Sequence, residues 1–503
     1  MSFLCANAAP IVVAAVASAI VWVYGGIRGE LLPSFVPWLV AFLIEVIVCF
    51  PQRHRGESAY EARERAWRAM KRDPLVWVSA GLLALLAVPF VNNGLCPICD
   101  AAAISQGIDP KPPLPFLPFC VDRRAHLNVF LWFALALPSL VAVRHALTRR
   151  GKRLVLQLVV WNGFAVAVLG FVQNALGAPG PLWWSLGDNR SPVTFFATFG
   201  YPNMGGDYFA VLFGIAVSLW RDRIGQVRLT RQGRDISKMA GPERNQFWQT
   251  HFFLIPAAVF FFAALNTLSR AAILLVSVTA IVYLAHALVS AAARMRKVKR
   301  VLFGVWSLAF VGLILFLATL FMPEKIQKEM QTVDTVETLD RVTGKGQYHA
   351  RVATALWRDH LLFGCGGWGY AHLCGLKMTP EELKHVQVSG GANVHNDYLQ
   401  FLAEHGVVGF GAMVTLAALL IWPIVGDWKR LIRQVRFTKR SGVPSPVQIF
   451  ALPAPAFILL VAASVTVIHA FGDCPLRSPA ILMLFYVVLA SVPGFIEKSS
   501  GSH

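Results

Sequence analysis

The sequence predicts an all-α, polytopic integral membrane protein with about 12 transmembrane helices and one large helical loop on its outer side. Of the 503 residues, 56% are hydrophobic and 15% are charged, and the mean hydropathy is +0.56. A soluble domain carries about 25% charged residues. The apolar residues also form runs of roughly 20, the length that a helix needs to cross a bilayer. Composition and run length together exclude a disordered chain and an ordinary soluble protein.

Twelve apolar stretches are each predicted to form one membrane-spanning helix. They cover approximately residues 9–24, 31–50, 75–91, 126–143, 154–176, 204–220, 251–268, 271–290, 301–322, 407–426, 449–471 and 480–496. The first stretch lacks the basic residues that precede the apolar core of a signal peptide, so we expect it to be retained. We divide the chain into 1–322 with helices 1–9, the outer loop 323–406, 407–498 with helices 10–12, and a cloning scar at 499–503.

Basic residues set the predicted orientation. The 46 Lys and Arg outnumber the 27 Asp and Glu, a net charge of +19, and 31 of the 46 lie in the loops on one side of this topology. Loops rich in Lys and Arg face the cytoplasm, and so do both termini in this topology. Residues 53–72, where Tyr60, Trp67 and Met70 alternate with charges, are predicted to form an interfacial helix. The charge thus indicates orientation and contact with anionic membrane lipids, not nucleic acid.

Six of the eight cysteines lie in predicted outer segments, namely Cys96, Cys99, Cys120, Cys365, Cys374 and Cys474. An oxidising compartment permits disulfides between them, although the sequence does not determine the pairing. We favour structural disulfides. The alternatives are free thiols and, for the Cys96-Pro-Ile-Cys99 pair, a redox or metal site.

The outer loop has helical patterns of its own, and loops of this length are uncommon unless they are functional. Its sequence predicts an amphipathic helix, a second helix, a glycine-rich turn and a third helix that Gly406 ends. These cover Glu324–Val342, Gly346–Leu362, Phe363–Tyr370 and Asn393–His405.

Two outer segments carry an arginine that can bind phosphate. Arg190-Ser-Pro-Val-Thr-Phe-Phe-Ala-Thr-Phe-Gly-Tyr-Pro-Asn203 enters the sixth helix, and Asn266-Thr-Leu-Ser-Arg270 joins helices seven and eight almost without a loop. Arginine donates two parallel hydrogen bonds to phosphate oxygens and never loses its charge. The alternatives are that Arg190 reaches lipid headgroups and that Arg270 is an interfacial anchor.

Two further outer segments carry polar groups on predicted helices. Helical spacing places Gln347, Arg351 and Arg358 on one face, for which a solvated charged surface is the alternative reading. His395 stands at the start of the third helix of the loop. A neutral imidazole there can accept a proton from a sugar hydroxyl, and its alternative is a structural hydrogen-bonding role.

Together these segments resemble the bacterial O-antigen ligase family and its O-antigen polymerase relatives. The resemblance rests on RSPVTFFATFGYPN, NTLSRAA, R-x5-W-x5-FGCGGWGY, VHNDYLQFLAEHGVVG and GDCPLRSPAILMLF, which follow one another between about residues 190 and 490. It implies a membrane glycosyltransferase that moves a glycan from undecaprenyl diphosphate to an acceptor at the periplasmic face of the bacterial inner membrane. In ligases the acceptor is lipid A-core, and the product is lipopolysaccharide.

The resemblance also implies roles for individual residues. The phosphate-binding arginines of the family fall on Arg190 and Arg270, and its catalytic histidine falls on His395. Phe195 and Phe196 depart from the smaller residues that are common in the first motif. Supporting roles are expected for Asn203, Ser269, Arg351, Asn396, Tyr398 and Arg477.

The residues fit a metal-independent, inverting displacement without a cofactor. A diphosphate is a good leaving group, so the enzyme must mainly neutralise the charge that grows on the bridging oxygen and activate one hydroxyl. Arginines supply the first effect, and His395 supplies the second by taking the proton of the acceptor. No two acidic residues are separated by a single position, so the sequence has no DxD-like metal site.

Three other functions remain open at this stage. An O-antigen polymerase would use a second undecaprenyl-linked glycan as acceptor, and a protein O-oligosaccharyltransferase would use a pilin serine or threonine. A flippase or transporter would also have twelve helices, but transporters place ionisable groups at mid-membrane, where Glu45 is the main deep charge of this chain. We favour O-antigen ligation over these three alternatives.

Overall fold

The described part of the protein consists mainly of helices. This computed structural model describes residues 3–23, 25, 32–92, 114, 116–183, 195–232, 250–292, 346–383, 393–438 and 452–496. Its helices are α1 (Phe3–Trp22), α2 (Leu32–Val48), α3 (Ala59–Arg72), α4 (Pro74–Ala87), α5 (Arg123–Val141), α6 (Arg149–Ala175), α7 (Pro202–Gln232), α8 (Leu254–Asn266), α9 (Arg270–Ala292), α10 (Gly346–Asp359), α11 (Gly369–Leu373), α12 (Asp397–Thr438), α13 (Ala454–His469), α14 (Pro479–Ser491) and α15 (Pro493–Ile496). Among these residues there is no strand, only an isolated bridge between Phe196 and Phe199. The predicted all-α class is confirmed.

Five or six of the predicted membrane spans are supported by helix length and composition among the described residues. Eleven of the twelve apolar stretches coincide with helices, and 301–322 and the predicted helix Glu324–Val342 lie outside the described residues. Within the described ranges, five helices are long and apolar enough to cross a membrane: Arg123–Ala146, Arg149–Ala175, Arg270–Ser290, Asp397–Leu431 and Pro479–Ile496. A sixth exists if α3 and α4, which meet at 71°, form one broken span. The count of about twelve is not confirmed, because several apolar stretches extend past the ends of shorter helices.

The basic segment forms the amphipathic helix α3. Ser58 and Glu61 make a reciprocal cap, in which Ser58 Oγ accepts from Glu61 N at 3.2 Å and Glu61 Oε2 accepts from Ser58 N at 2.7 Å. Asp73 ends α3 and at once caps α4, since its Oδ1 accepts from Leu75 N at 3.0 Å. The buried face of α3 consists of Ala62, Ala66 and Met70.

The chain divides into two compact units. The first comprises Met1–Val159, Asp334–Ile421 and Thr466–Ser491, and the second comprises Val160–Val333, Trp422–Val465 and Val492–His503.

In the first unit, α5 packs against α2, α4 and α14. Nearly every residue of α14 is buried, which explains its uninterrupted apolar sequence. The buried His126 of α5 links two other segments. Its Nε2 lies 2.8 Å from Leu86 O, and its Nδ1 accepts from Gly367 N at 2.9 Å. α5 therefore fixes the glycine-rich turn.

The glycine-rich turn lies directly on α12. Its Cys365 N and Gly366 N donate to carbonyls of Ala403 and Glu404 at 3.1 and 2.8 Å. In return, the amides of residues 407 and 408 donate to the carbonyls of residues 361 and 362 at 3.0 and 3.1 Å. Gly406 has a φ of +61°, and an added Cβ would lie 2.3 Å from backbone of Leu362. The predicted helix end at Gly406 is thus a break, and the helical element continues to Thr438.

In the second unit, α7 packs against α8 and α9. The rings of Phe209 and Phe260 are stacked with centroids 6.2 Å apart. A Cβ on Gly206 would lie only 2.2 Å from Ala272 Cβ. The first turn of α7 is therefore seated against the start of α9, where Arg270 lies.

The described cysteines of the predicted outer segments are free thiols. Cys120, Cys365, Cys374 and Cys474 are buried and unpaired, whereas Cys96 and Cys99 lie outside the described residues. The Sγ atoms of Cys120 and Cys365 lie 3.5 and 3.4 Å from separate backbone carbonyls. Burial raises the pKa of Cys120 to about 12 and that of Cys374 to about 11. The preference for disulfides is wrong for these four residues.

Candidate active site

His395 lies two residues before the start of α12. Asn396 caps this helix, because its Oδ1 accepts from Leu399 N at 3.0 Å, while its Nδ2 donates to Phe471 O at 3.2 Å. His395 itself has a φ of +53°, in the left-handed region. A side chain other than glycine persists there only when its surroundings hold it.

A buried carboxylate holds the imidazole of His395. Its Nδ1 lies 3.3 Å from Oδ1 of Asp473, and the His395 side chain is 50% exposed whereas that of Asp473 is 4% exposed. With Nδ1–H donating to the carboxylate, the lone pair of the ring is on Nε2. Asp473 was missed by the sequence reasoning, although it lies in the quoted GDCPLRSPAILMLF motif. Its acidic character just before an apolar helix was the available signal.

A second histidine lies beside the first. The ring centroids of His349 and His395 are 6.1 Å apart, in an edge-to-face arrangement. His349 belongs to α10, and its Nδ1 lies 2.7 Å from the hydroxyl of Tyr370. Helical periodicity alone did not distinguish His349 from the other histidines of the outer loop.

Arg477 forms the centre of a buried charge network under this site. Its Nη2 donates to Glu404 Oε2 at 2.6 Å, and its Nε lies 3.9 Å from Asp397 Oδ1. Its guanidinium also lies 4.7 Å from the ring centroid of Trp368. Burial lowers the pKa of Arg477, but the carboxylates of Glu404 and Asp397 raise it more, and the net pKa is above the ordinary value. Arg477 is therefore a charged clamp between α12 and the segment that carries Asp473.

The network also reaches the backbone around His395. Gln400 Oε1 accepts from Val394 N at 3.0 Å, and its Nε2 donates to Glu404 Oε1 at 3.2 Å. Asp397 Oδ2 accepts from Leu476 N at 2.8 Å. Asp397 and Glu404 are thus committed to internal partners and buried, so they are poor substitutes for His395 as a base.

In the second unit, Arg270 is the first residue of α9. Leu268 reverses the chain with a φ of +58°, and Ser269 caps the new helix, since its Oγ accepts from Ala272 N at 3.2 Å. Arg270 thus stands at the positive end of a helix, where backbone N–H groups and the dipole favour anions. Asn203 lies in the first turn of α7 and donates to Tyr201 Oη at 3.1 Å. Arg190 lies outside the described residues.

Arg351 and Tyr398, the other two expected supporting residues, also have partners within the protein. Arg351 donates through Nη2 to both carboxylate oxygens of Glu382, at 2.9 and 2.7 Å. Hydrogen bonds from the Thr379 backbone and from Arg351 hold the pKa of Glu382 below its ordinary value. Tyr398 donates its hydroxyl to Val467 O at 2.7 Å.

Left-handed backbone recurs in the segments that the sequence singled out. The described residues contain six such non-glycine positions, namely Leu182, Trp183, Ala197, Leu268, Trp368 and His395. The last four fall one in each of the four outer segments. Conformations of this kind cluster at functional sites, because only tight surroundings maintain them.

Residues 255–414 match the O-antigen ligase family. The predicted resemblance is confirmed by this match. No curated protein matches the chain. The matched segment begins in α8, contains Arg270 and His395 and ends within α12, whereas Asp473 and Arg477 lie beyond it.

This match supports a membrane glycosyltransferase of the O-antigen ligase or polymerase type. Together with the long apolar helices, it indicates a multi-pass membrane protein. The family implies a lipid-linked glycan and a lipid acceptor within a membrane.

Proposed function

We propose that the chain is an O-antigen ligase that transfers a glycan from undecaprenyl diphosphate to lipid A-core at the periplasmic face of the bacterial inner membrane. The observation that carries this proposal is the half-exposed imidazole of His395, which lies in the matched segment with its Nδ1 3.3 Å from the buried carboxylate of Asp473. A base of this kind suits the activation of a sugar hydroxyl.

The chemistry then proceeds in one displacement without a metal. Nε2 of His395 takes the proton of the acceptor hydroxyl while the hydroxyl oxygen forms a bond to the anomeric carbon. The bond from that carbon to the phosphate oxygen breaks, and its electron pair leaves with the diphosphate. Attack from the opposite face inverts the anomeric configuration. Asp473 keeps the ring in the accepting tautomer and stabilises the imidazolium that forms, as carboxylates do in histidine-based catalysis.

We assign diphosphate binding to Arg270 and Arg190, as the resemblance implies. The position of Arg270 at the start of α9 supports this assignment, because a guanidinium and a helix N-terminus both favour phosphate oxygens. Ser269 contributes by capping that helix. Arg351 and Tyr398 act on folding in this proposal, because their donors are taken up internally.

Substitution of His395 with Gln tests the proposal, because Gln retains hydrogen bonding but is not basic. Purified protein would be incubated with undecaprenyl-diphosphate glycan and lipid A-core, and turnover and donor binding would be measured. We expect turnover to fall by about 10²- to 10⁴-fold while donor binding is retained. Near-normal turnover would show that the imidazole only positions the acceptor.

His360→Gln and His372→Gln are the matched controls. His360 packs edge-on against Phe119 and His372 faces Asp122, so neither should affect turnover strongly. His349→Gln is unsuitable as a control because its ring is next to His395.

The acceptor is tested by offering lipid A-core and a second undecaprenyl-linked glycan separately. Transfer to lipid A-core is expected. Elongation of the undecaprenyl-linked glycan instead would identify a polymerase, the other activity that the family includes.

A further inference from the structure

We propose that His395, Asp473, Cys474 and His469 form a binding site for a soft divalent cation such as Zn²⁺, and that occupation of this site inhibits the enzyme. The inhibition rests on the proposed role of His395 as a base, whereas the binding does not.

The geometry of three of these groups already approaches a metal site. A ring nitrogen of His395, a carboxylate oxygen of Asp473 and the Sγ of Cys474 all lie within 4.8 Å of one another. The separations from Asp473 Oδ1 are 3.3 Å to Nδ1 and 3.4 Å to Sγ. In a tetrahedral zinc site with bonds of about 2.0–2.3 Å, neighbouring ligand atoms lie about 3–4 Å apart. Two of the required separations are therefore present before any ion binds.

His469 can supply a fourth ligand from the end of α13. Its Nε2 lies 3.9 Å from the other carboxylate oxygen of Asp473, and its side chain is buried. The resulting set of two imidazoles, a carboxylate and a thiolate is typical of zinc and cobalt, not of magnesium or calcium. The exposed His395 side chain gives the ion a route from solvent.

The charges of the site balance when a dication binds. Cys474 Sγ donates to Asp473 Oδ1 at 3.4 Å, so the thiol carries its proton while no metal is bound. Metal binding releases this proton to solvent and leaves a thiolate. Together with the carboxylate of Asp473, the thiolate neutralises the two positive charges of the ion. A neutral cluster is the arrangement that a buried site tolerates best.

Occupation of Nδ1 changes the role of the opposite ring nitrogen. With Nδ1 bound to the metal, the ring proton of His395 lies on Nε2. Nε2 then donates a hydrogen bond and has no lone pair for the proton of the acceptor. The cation therefore inhibits by fixing the wrong tautomer, without covering the exposed edge of the ring.

Binding is measured on the purified full-length protein with Co²⁺ as the probe, because a cobalt–thiolate bond gives a charge-transfer absorption in the near ultraviolet. We expect this absorption in the wild type and in Cys374→Ser, and its loss in Cys474→Ser. Cys374 is an equally buried thiol whose Sγ lies 3.6 Å from Ala371 O, so its variant is the matched control. Absorption that is absent, or unchanged in Cys474→Ser, would refute the site.

A second variant protects the test against misfolding of Cys474→Ser. His395→Gln changes a half-exposed side chain and removes a ligand without altering the core. We expect it to weaken cobalt binding, and unchanged affinity would exclude His395 from the site.

Inhibition is measured as the ratio of turnover with and without Zn²⁺ in each variant. Saturating Zn²⁺ should lower wild-type turnover by about 10²-fold or more, with recovery after EDTA, and should affect Cys474→Ser much less. Cobalt binding that depends on Cys474 without inhibition by zinc would leave the metal site standing and contradict the base role of His395. The two failures are therefore distinguishable.

Discussion

Replacement of Arg477 with Met should strongly destabilise the first unit. Arg477 and Glu404 form an ion pair whose side chains are 9% and 1% exposed, and the Asp397 carboxylate, 3.9 Å from Arg477, is also buried. Methionine retains much of the apolar part of the arginine side chain, so the stability that is lost is mainly electrostatic. Removing one partner of a buried pair costs about 3–5 kcal/mol, because the remaining charge stays buried without compensation.

Arg351→Met is the matched control for this experiment. Arg351 also pairs with a carboxylate, at 2.7 Å from Glu382, but its side chain is 53% exposed. Exposed pairs contribute about 0.2–1 kcal/mol. The two variants therefore make the same chemical change in a buried and in an exposed pair.

Thermal unfolding of the purified protein in detergent measures the difference. We expect a much lower midpoint for Arg477→Met, a midpoint near wild type for Arg351→Met, and partial recovery when Glu404→Gln is added to Arg477→Met. The recovery follows because the second change removes one of the stranded charges. Equal midpoints for the two single variants would refute the assignment of Arg477 as a buried clamp.

Three further outcomes are expected. Asp473→Asn should lower kcat by at least about 10-fold with little change in KM, because an amide does not stabilise the imidazolium; an unchanged kcat would remove Asp473 from the mechanism. Arg270→Ala should weaken donor binding by about 1.5–3 kcal/mol, and Lys should rescue it poorly because it lacks the planar fork; normal donor affinity in the alanine variant would contradict phosphate binding. An impermeant thiol reagent should label a cysteine placed in 346–383 on intact cells, but one placed in 53–72 only after lysis. The opposite labelling would reverse the orientation.

Local sequence patterns predicted most of the helices, because apolar runs and caps act over a few residues. The glycine-rich turn predicted at Phe363–Tyr370 and the interruption at Gly406 also followed from glycine positions. The sequence did not reveal what the glycines approach, since Gly364 and Gly406 each meet a segment about forty residues distant.

In the candidate site, too, local features were predicted and contacts between distant segments were not. His395 was identified from its place before a helix and from the resemblance, but its partner Asp473 is 78 positions further along the chain. Arg477 was expected to support the site, but its partner Glu404 lies 73 positions before it and was not predicted. Helical periodicity predicted the helix that carries Arg351, but it did not show that Arg351 donates hydrogen bonds to Glu382. Pairings of this range depend on how helices pack, which no local pattern specifies.

The exchange of backbone hydrogen bonds between Leu361–Gly366 and Ala403–Val408 has a consequence for local unfolding. Each segment completes the hydrogen bonding of the other at the break in α12, so neither can open while the other stays protected. The amides on both sides should therefore exchange with deuterium at a common rate. The break in α12 and the facing turn are therefore expected to open together, in a single local unfolding event.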